Sequence, residues 1–131
     1  MSLLQIVTFL SLSVCAFCYP PTCYTRVLNL GKEITERAQR MKKSPDTESC
    51  TAHLPDLYID VHNSCVMSKM RSYLFLVESL RDRICTEDKN VQDQIREVRR
   101  LYLIMAKMCN GELVFYTDDC AELNRKATMP T

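Results

Sequence analysis

The sequence contains very little glycine: Gly31 and Gly111 are its two examples in 131 residues. It also lacks the valine- and threonine-rich alternation that is typical of secreted all-β domains, and tight hairpins have few turn residues on which to form. These two absences exclude a sheet-based extracellular module. A helical protein is therefore the expectation.

A surplus of charge of either sign is absent as well. The chain has 17 Lys and Arg residues against 16 Asp and Glu residues, which gives a formal net charge of +1 at pH 7. Non-specific nucleic-acid binding depends on a basic surplus, so the composition gives no support for a nucleic-acid partner. Any electrostatic recognition by this chain must come from a local patch.

The first eighteen residues, Met1 to Cys18, contain no Asp, Glu, Lys or Arg. This apolar segment is shorter than the roughly 20 residues that a transmembrane helix needs, and it ends in small residues suited to cleavage. We interpret residues 1–18 as a secretory signal peptide, cleaved before Tyr19 or after Ala16. The mature chain, residues 19–131, is then expected to be a single secreted, extracellular domain with no membrane insertion.

Cysteine is plentiful in the mature chain. Outside the signal segment six cysteines remain of the eight in the sequence, and an oxidising compartment would join them in three disulfides. A domain of this length can bury a real core, so each cross-link is expected to supplement hydrophobic burial by about 2–4 kcal/mol. The six residues are Cys23, Cys50, Cys65, Cys85, Cys109 and Cys120.

Apolar residues recur at helical spacing in the first half of the mature chain. The first pattern predicts a helix over Tyr24–Lys43, followed by a loop of about ten residues. The second pattern covers Leu54–Ile84, with Pro55 in its first turn and an interruption expected near residues 63–68.

Helical spacing continues in the second half. A third pattern begins after Thr86, the expected N-terminal cap, and stops at Asn110 and Gly111. A fourth, shorter element is either helical or briefly extended over residues 113–116, and residues 125–131 are expected to form a loose tail. The fourth element carries Leu113, Tyr116, Cys120 and Leu123.

Four amphipathic helices with short or medium connections predict an all-α, four-helix-bundle-like domain. If the helices alternate up and down, the start of the first lies beside the end of the second. The loop after the first then lies beside the end of the third. This placement favours the disulfides Cys23–Cys85 and Cys50–Cys109 and leaves Cys65 and Cys120, at intermediate depth, as the third pair. It is one of the fifteen pairings that six cysteines allow.

Candidate catalytic and metal-binding residues are sparse. Asp60 and His62 lie two positions apart and cannot share one face of a helix, so we interpret His62 as a partly buried helix residue. Asp118 and Asp119 diverge around a helix, and no Cys-x-x-Cys or His-x-x-x-His pattern supplies further metal ligands. We interpret this pair as a cap or a solvated helix start. The sequence predicts no enzyme activity, no catalytic or metal site, and no cofactor.

Two groups of basic residues recur at helical spacing. Each predicts a basic face that could bind an acidic receptor surface or a sulfated glycosaminoglycan. The alternative is an ordinary solvated helix face whose charge is partly neutralised by neighbouring Glu residues. The groups are Arg37, Arg40 and Lys43 on the first helix, and Arg96, Arg99 and Arg100 on the third.

Short blocks over nearly all of the mature chain, apart from residues 42–49 and the tail, resemble the secreted cytokine-like family of vertebrates. The blocks are Pro20-Pro21-Thr22-Cys23-Tyr24, Glu33-Ile34-Thr35, Leu54-Pro55, Leu57-Tyr58, Asp60 with His62-Asn63, Cys65-Val66, Arg100-Leu101-Tyr102, Ile104-Met105, Cys109, Leu113-Val114-Phe115 and Asp118-Asp119-Cys120.

The resemblance implies a small secreted signalling protein that folds like a helical cytokine and binds a cell-surface receptor. It further implies a link to cartilage formation (chondrogenesis) and to cells of blood-forming tissue. A chemokine-type, seven-helix chemotactic receptor is a suggested partner for the family, although Cys23 and Cys50 are too far apart for the chemokine cysteine pattern. A monomeric receptor ligand is the first expectation.

The alternative is a secreted lipid- or glycosaminoglycan-binding module of the extracellular matrix. Saposin-like lipid-binding domains are also helical and held by three disulfides. They begin with a close pair of cysteines, however, which this chain lacks.

Overall fold

The computed structural model describes residues 22–128 of the chain. Within this range the regular elements are helices, accompanied by an isolated parallel bridge between Asn63 and Thr117. The predicted all-α class is therefore confirmed. The predicted signal peptide, residues 1–18, and residues 129–131 of the predicted tail lie outside the described residues.

Helix α1, Cys23–Lys43, confirms the first predicted helix. Thr22 caps it, because its hydroxyl accepts the backbone N–H of Thr25 at 3.1 Å and satisfies one of the free donors of the first turn. The buried side of α1 then recurs at steps of three and four residues and faces the core. Its buried positions are Val27, Gly31, Ile34, Ala38 and Met41.

A short helix, α2 at Glu48–Thr51, lies within the connection that the sequence predicted as a loop. Thr47 and Thr51 are buried, and both hydroxyls donate to the backbone carbonyl of Met41, at 2.6 and 2.8 Å. Carbonyls in the last turn of a helix have no partner within it. These two bonds therefore fasten the connection to the end of α1.

Residues 55–60 are not helical, so the prediction of a helix that begins at Leu54 is wrong. Leu57 and Val61 are buried at a spacing that fits a helix, but Ile59 between them also packs against the core. The three residues therefore fit the two-residue repeat of an extended segment equally well.

Residues 55–62 run back along α1 in a largely extended conformation, and we call this segment the strap. Asp56 pairs with Lys42 at the end of α1, and His62 bonds Tyr24 near its start. These two α1 residues are about 27 Å apart along the helix axis, a distance that six residues approach only when they are extended. In between, Ile59 crosses α1 at Gly31, where an added Cβ would lie 2.8 Å from Ile59 Cγ2.

Helices α3 at Cys65–Glu78, α4 at Arg83–Thr86 and α5 at Lys89–Ala106 follow the strap. The predicted interruption near residues 63–68 is thus the point where the second long helix begins. Asp88, and not Thr86 as predicted, caps α5, because its carboxylate accepts the backbone N–H of Val91 at 3.2 Å.

The chain reverses after α5 in a 3-10 turn at Met108–Gly111, whose residues all have positive φ. Helix α5 ends at Ala106, a few residues before the predicted stop at Asn110 and Gly111, and both of these residues lie in the reversal. Residues 113–119 are not helical, and α6 covers Cys120–Thr128. The tail predicted from residue 125 is therefore helical as far as Thr128.

The last helix is fastened to the strap by an ion pair. Lys126 Nζ donates to Asp60 Oδ2 at 3.1 Å, and this hydrogen bond together with the charge of Asp60 raises the pKa of Lys126. Sequence periodicity had no means of showing this contact, because its two residues are far apart in the chain.

The disulfides close the two ends of the bundle. The sequence-based pairs Cys23–Cys85 and Cys50–Cys109 are wrong, whereas the third pair is the one that the sequence favoured. The bonds are Cys23–Cys109, Cys50–Cys85 and Cys65–Cys120, with Cα–Cα distances of 5.5, 6.6 and 5.3 Å.

The strap explains the two wrong pairs. Because residues 55–62 cross the bundle before α3 begins, the chain makes one more pass than a continuous helix from Leu54 would make. Cys85 consequently arrives at the end that holds Cys50, and Cys109 arrives at the end that holds Cys23.

Gln94 of α5 is fully buried and joins the three long helices. Its Nε2 donates to the carbonyl of Ile34 on α1 at 2.9 Å and to the hydroxyl of Tyr73 on α3 at 3.3 Å. Its Oε1 accepts from Arg37 Nη1 at 3.2 Å. Each polar atom of this buried amide has a partner, so it fixes the register of the helices at little cost.

The ionisation of Tyr73 makes the stability of the fold depend on pH in the alkaline range. Burial raises the pKa of its hydroxyl, while the Gln94 hydrogen bond and the Arg37 charge lower it to a smaller extent. The native state therefore holds this proton more tightly than the unfolded state, whose tyrosines ionise near pH 10. The contribution of protonated Tyr73 to the free energy of unfolding is complete below about pH 10 and is lost as the pH rises through the pKa of Tyr73 in the native state.

We expect the melting temperature of the wild type to fall more steeply above about pH 10 than that of Tyr73→Phe. Lysine deprotonation affects both proteins, so their difference isolates Tyr73. Thermal melts followed by circular dichroism across this range test the point. Parallel curves for the two proteins would show that Tyr73 does not cause this pH dependence.

Candidate functional site

The basic face predicted on α1 is divided by the structure. Arg37 is half-buried and points to Gln94, so it is not part of an outer face. Arg40 and Lys43 are exposed and line an open groove that Asn90, in the first turn of α5, closes on the other side. We call this feature the basic groove; its lining residues are Glu36, Gln39, Arg40, Lys43, Ser44 and Asn90.

The basic face predicted on α5 is largely neutralised. Arg96 binds Asp93 at 2.8 Å and approaches Glu97 at 3.6 Å. Arg100 lies 3.9 Å from Glu97. Arg99 pairs with Glu78 of α3. Exposed ion pairs of this kind contribute little stability, but they cancel the positive field on that side of the molecule.

An apolar surface on α3 was not identified from the sequence. Phe75 is 71% exposed and Leu76 is 41% exposed, and both line a shallow groove with Arg71. The buried stripe of α3 lies on its other side, so core packing does not account for either residue. We call this surface the α3 patch; it consists of Ser68, Arg71, Ser72, Phe75 and Leu76.

The signal for the α3 patch was present in the sequence. Met70, Tyr73 and Val77 follow the helical spacing of a buried stripe, and Phe75 and Leu76 fall off it. An aromatic residue off the stripe of an amphipathic helix, next to arginine, has the composition of an interface centre.

His62 is half-buried, as predicted, but it lies in a turn and not in a helix. Its Nδ1 lies 3.1 Å from the carbonyl of Val114, and its Nε2 lies 2.7 Å from the hydroxyl of Tyr24. The ring also stacks on Tyr116, with 4.8 Å between the ring centroids.

Asp60 accepts the backbone N–H of His62 and makes no bond to the imidazole ring. Both ring nitrogens have protein partners, so this side chain holds the turn before α3 against the strand-like residues after α5. The geometry is that of a structural contact and not of a catalytic pair.

The remaining sequence candidates have local structural roles. Asp119 Oδ1 accepts the backbone N–H of Glu122 at 3.2 Å in the first turn of α6, while Asp118 is exposed. Among residues 22–128 no three His, Cys, Asp or Glu side chains converge as a metal site. Within the same part of the chain, no helix has the length and apolar character needed to cross a bilayer.

Comparison with known proteins was made for the whole sequence. The family model described as cytokine-like protein 1 matches residues 3–131. Human cytokine-like protein 1 is 38% identical over 104 residues, which cover 79% of this chain and 72% of the human protein. No solved structure matches the chain significantly.

Proposed function

Because this chain belongs to the cytokine-like protein 1 family, we propose that it is a secreted signalling protein that binds a receptor on the cell surface. Residues 1–18 direct export and are removed. The mature chain acts as a non-catalytic ligand, and the signal that it carries promotes cartilage formation or cell migration. A seven-helix chemotactic receptor is one candidate for the partner.

The observation that carries this proposal is the α3 patch. Phe75 exposes most of its ring to solvent beside Leu76 and Arg71, on a helix whose other side is fully packed. Aromatic and arginine side chains dominate the binding energy of protein interfaces, whose rims are polar. Ser68 and Ser72 lie beside these side chains in the same groove. The patch thus has the chemistry of an anchor for a protein partner.

The three disulfides support the same proposal. Each connects segments that lie far apart in the chain, and disulfides persist in oxidising, extracellular surroundings. A cross-linked scaffold also holds a binding surface in one shape, which reduces the entropy lost on association.

We expect Phe75→Ala to weaken saturable binding of the labelled protein to chondrogenic cells by about tenfold or more. Phe75 makes little contact with the core, so the melting temperature should barely change. Leu103→Ala is the matched control, because Leu103 is a 57% exposed apolar residue on α5, outside the patch.

The binding assay uses cells treated with glycosaminoglycan lyases, so that only protein receptors contribute. Unchanged binding by Phe75→Ala, or equal losses for Phe75→Ala and Leu103→Ala, would contradict the assignment of the α3 patch. Absence of any saturable binding by the wild type would contradict the proposed function itself.

A further inference from the structure

The basic groove contains two cations, Arg40 and Lys43, that make no ion pair within the described residues. Arg40 and Lys43 lie one turn apart on the outer side of α1, where residues three apart are neighbours. Within residues 22–128 neither makes an ion pair with an acidic side chain. The nearby Lys42, by contrast, is held by Asp56 at 2.8 Å.

The groove is open to solvent. It follows the last two turns of α1, has a volume of 570 Å³, and is closed on its far side by Asn90 of α5. Asn90 is exposed, so its amide can donate to a ligand that already contacts Arg40 and Lys43. An open trough of this kind fits a polymer that lies across it better than a small molecule, which is usually enclosed.

We propose that the basic groove binds a sulfated glycosaminoglycan chain. Sulfate esters stay ionised at all physiological pH values and offer several oxygen acceptors. The planar guanidinium of Arg40 can donate two parallel hydrogen bonds to one sulfate, and Lys43 acts as a compact positive charge for the same or the next group. The site lies on α1 and α5, so it is separate from the α3 patch proposed for the receptor.

Glu36 makes the site weaker than its cations alone would allow. It lines the same groove one turn before Arg40 and repels an approaching sulfate. This residue therefore offers a test in the direction of tighter binding. Glu36→Gln keeps the size of the side chain, removes the repulsion and should strengthen the interaction.

The test is heparin chromatography of the full mature protein in a sodium chloride gradient. We expect the wild type to elute above about 0.15 M salt, the physiological ionic strength. The double variant Arg40→Ala/Lys43→Ala should elute below that concentration, and Glu36→Gln should elute later than the wild type. Circular dichroism checks that each variant is folded.

The matched control is Arg96→Ala/Arg100→Ala. It also removes two positive charges, but from residues that already have acidic partners. This control should elute close to the wild type. Elution of the wild type below physiological salt, equal shifts for the two double variants, or no later elution of Glu36→Gln would each overturn the proposal.

Competition in solution distinguishes sulfate recognition from a general affinity for acidic polymers. Soluble heparin should displace the protein from the column, and hyaluronan, which carries carboxylates and no sulfate, should not. Equal displacement by both would overturn the assignment of a sulfated ligand. Neither result depends on the receptor, since no cells are present.

Discussion

Removing the Cys23–Cys109 disulfide, by Cys23→Ala and Cys109→Ala together, should lower the free energy of unfolding by about 4–5 kcal/mol. The two residues are 86 positions apart, so the bond closes most of residues 22–128 into one loop and strongly restricts the unfolded state. Domains of this size have only about 5–15 kcal/mol of stability in total. Urea unfolding of the two proteins measures the difference.

The double variant Cys23→Ala/Cys85→Ala is the control for connectivity. It removes two cysteines that belong to different disulfides, and so leaves Cys50 and Cys109 without partners at opposite ends of the bundle. Thiol titration should find two free thiols in this variant and none in Cys23→Ala/Cys109→Ala. The opposite outcome would mean that the bonds are Cys23–Cys85 and Cys50–Cys109.

Replacing Gly31 by valine should lower the free energy of unfolding by about 2–3 kcal/mol. A Cβ at this position already falls 2.8 Å from Ile59 Cγ2 and 3.2 Å from Ile59 Cβ, atoms that are close to the backbone and cannot swing away. The two further methyl groups of valine add to this overlap. Since valine is a better helix former than glycine, any loss must come from the contact with the strap.

The effect should depend on Ile59. In a double-mutant cycle, Ile59→Ala gives the new side chain space, so Gly31→Val should cost clearly less in that background than in the wild type. Chemical unfolding of the four proteins supplies the coupling energy. Equal costs in both backgrounds, or a stabilised Gly31→Val, would show that the strap does not cross α1 at this point.

The helical class and the long helices could be predicted from the sequence because the buried apolar residues of an amphipathic helix recur at steps of three and four residues. Helix α1 is correct almost to the residue, and α5 ends within a few residues of the predicted stop at Asn110 and Gly111. The strap could not be predicted in the same way. Leu57, Ile59 and Val61 satisfy both helical and extended repeats, and the choice between them depends on packing against Gly31.

The strap also accounts for the wrong disulfide pairs. Successive elements do alternate in direction, but the strap adds one pass that a continuous helix from Leu54 lacks, so the partners of Cys23 and Cys50 are exchanged relative to the prediction. Cys65 and Cys120 are the two cysteines that the predicted arrangement leaves over, and this remaining pair agrees with the structure.

Binding surfaces were harder to predict than the fold, because a charge is available to a ligand only if nothing in the protein neutralises it. Arg37, Arg96 and Arg40 look alike in the sequence. In the structure Arg37 donates a hydrogen bond to Gln94 and Arg96 forms an ion pair with Asp93, whereas Arg40 lines the basic groove. Gln94 itself occupies a core position of α5, where a polar residue signals a buried network.

Peptide mapping of the unreduced protein, collected from the medium of cells that express the full chain, shows whether this protein is an exported ligand with the disulfides described above. We expect exported material that begins near Tyr19, has no free thiol, and contains Cys23–Cys109, Cys50–Cys85 and Cys65–Cys120. Retention of the chain inside the cells, several free thiols, or a different set of bonds would contradict the proposal of a cross-linked, secreted protein.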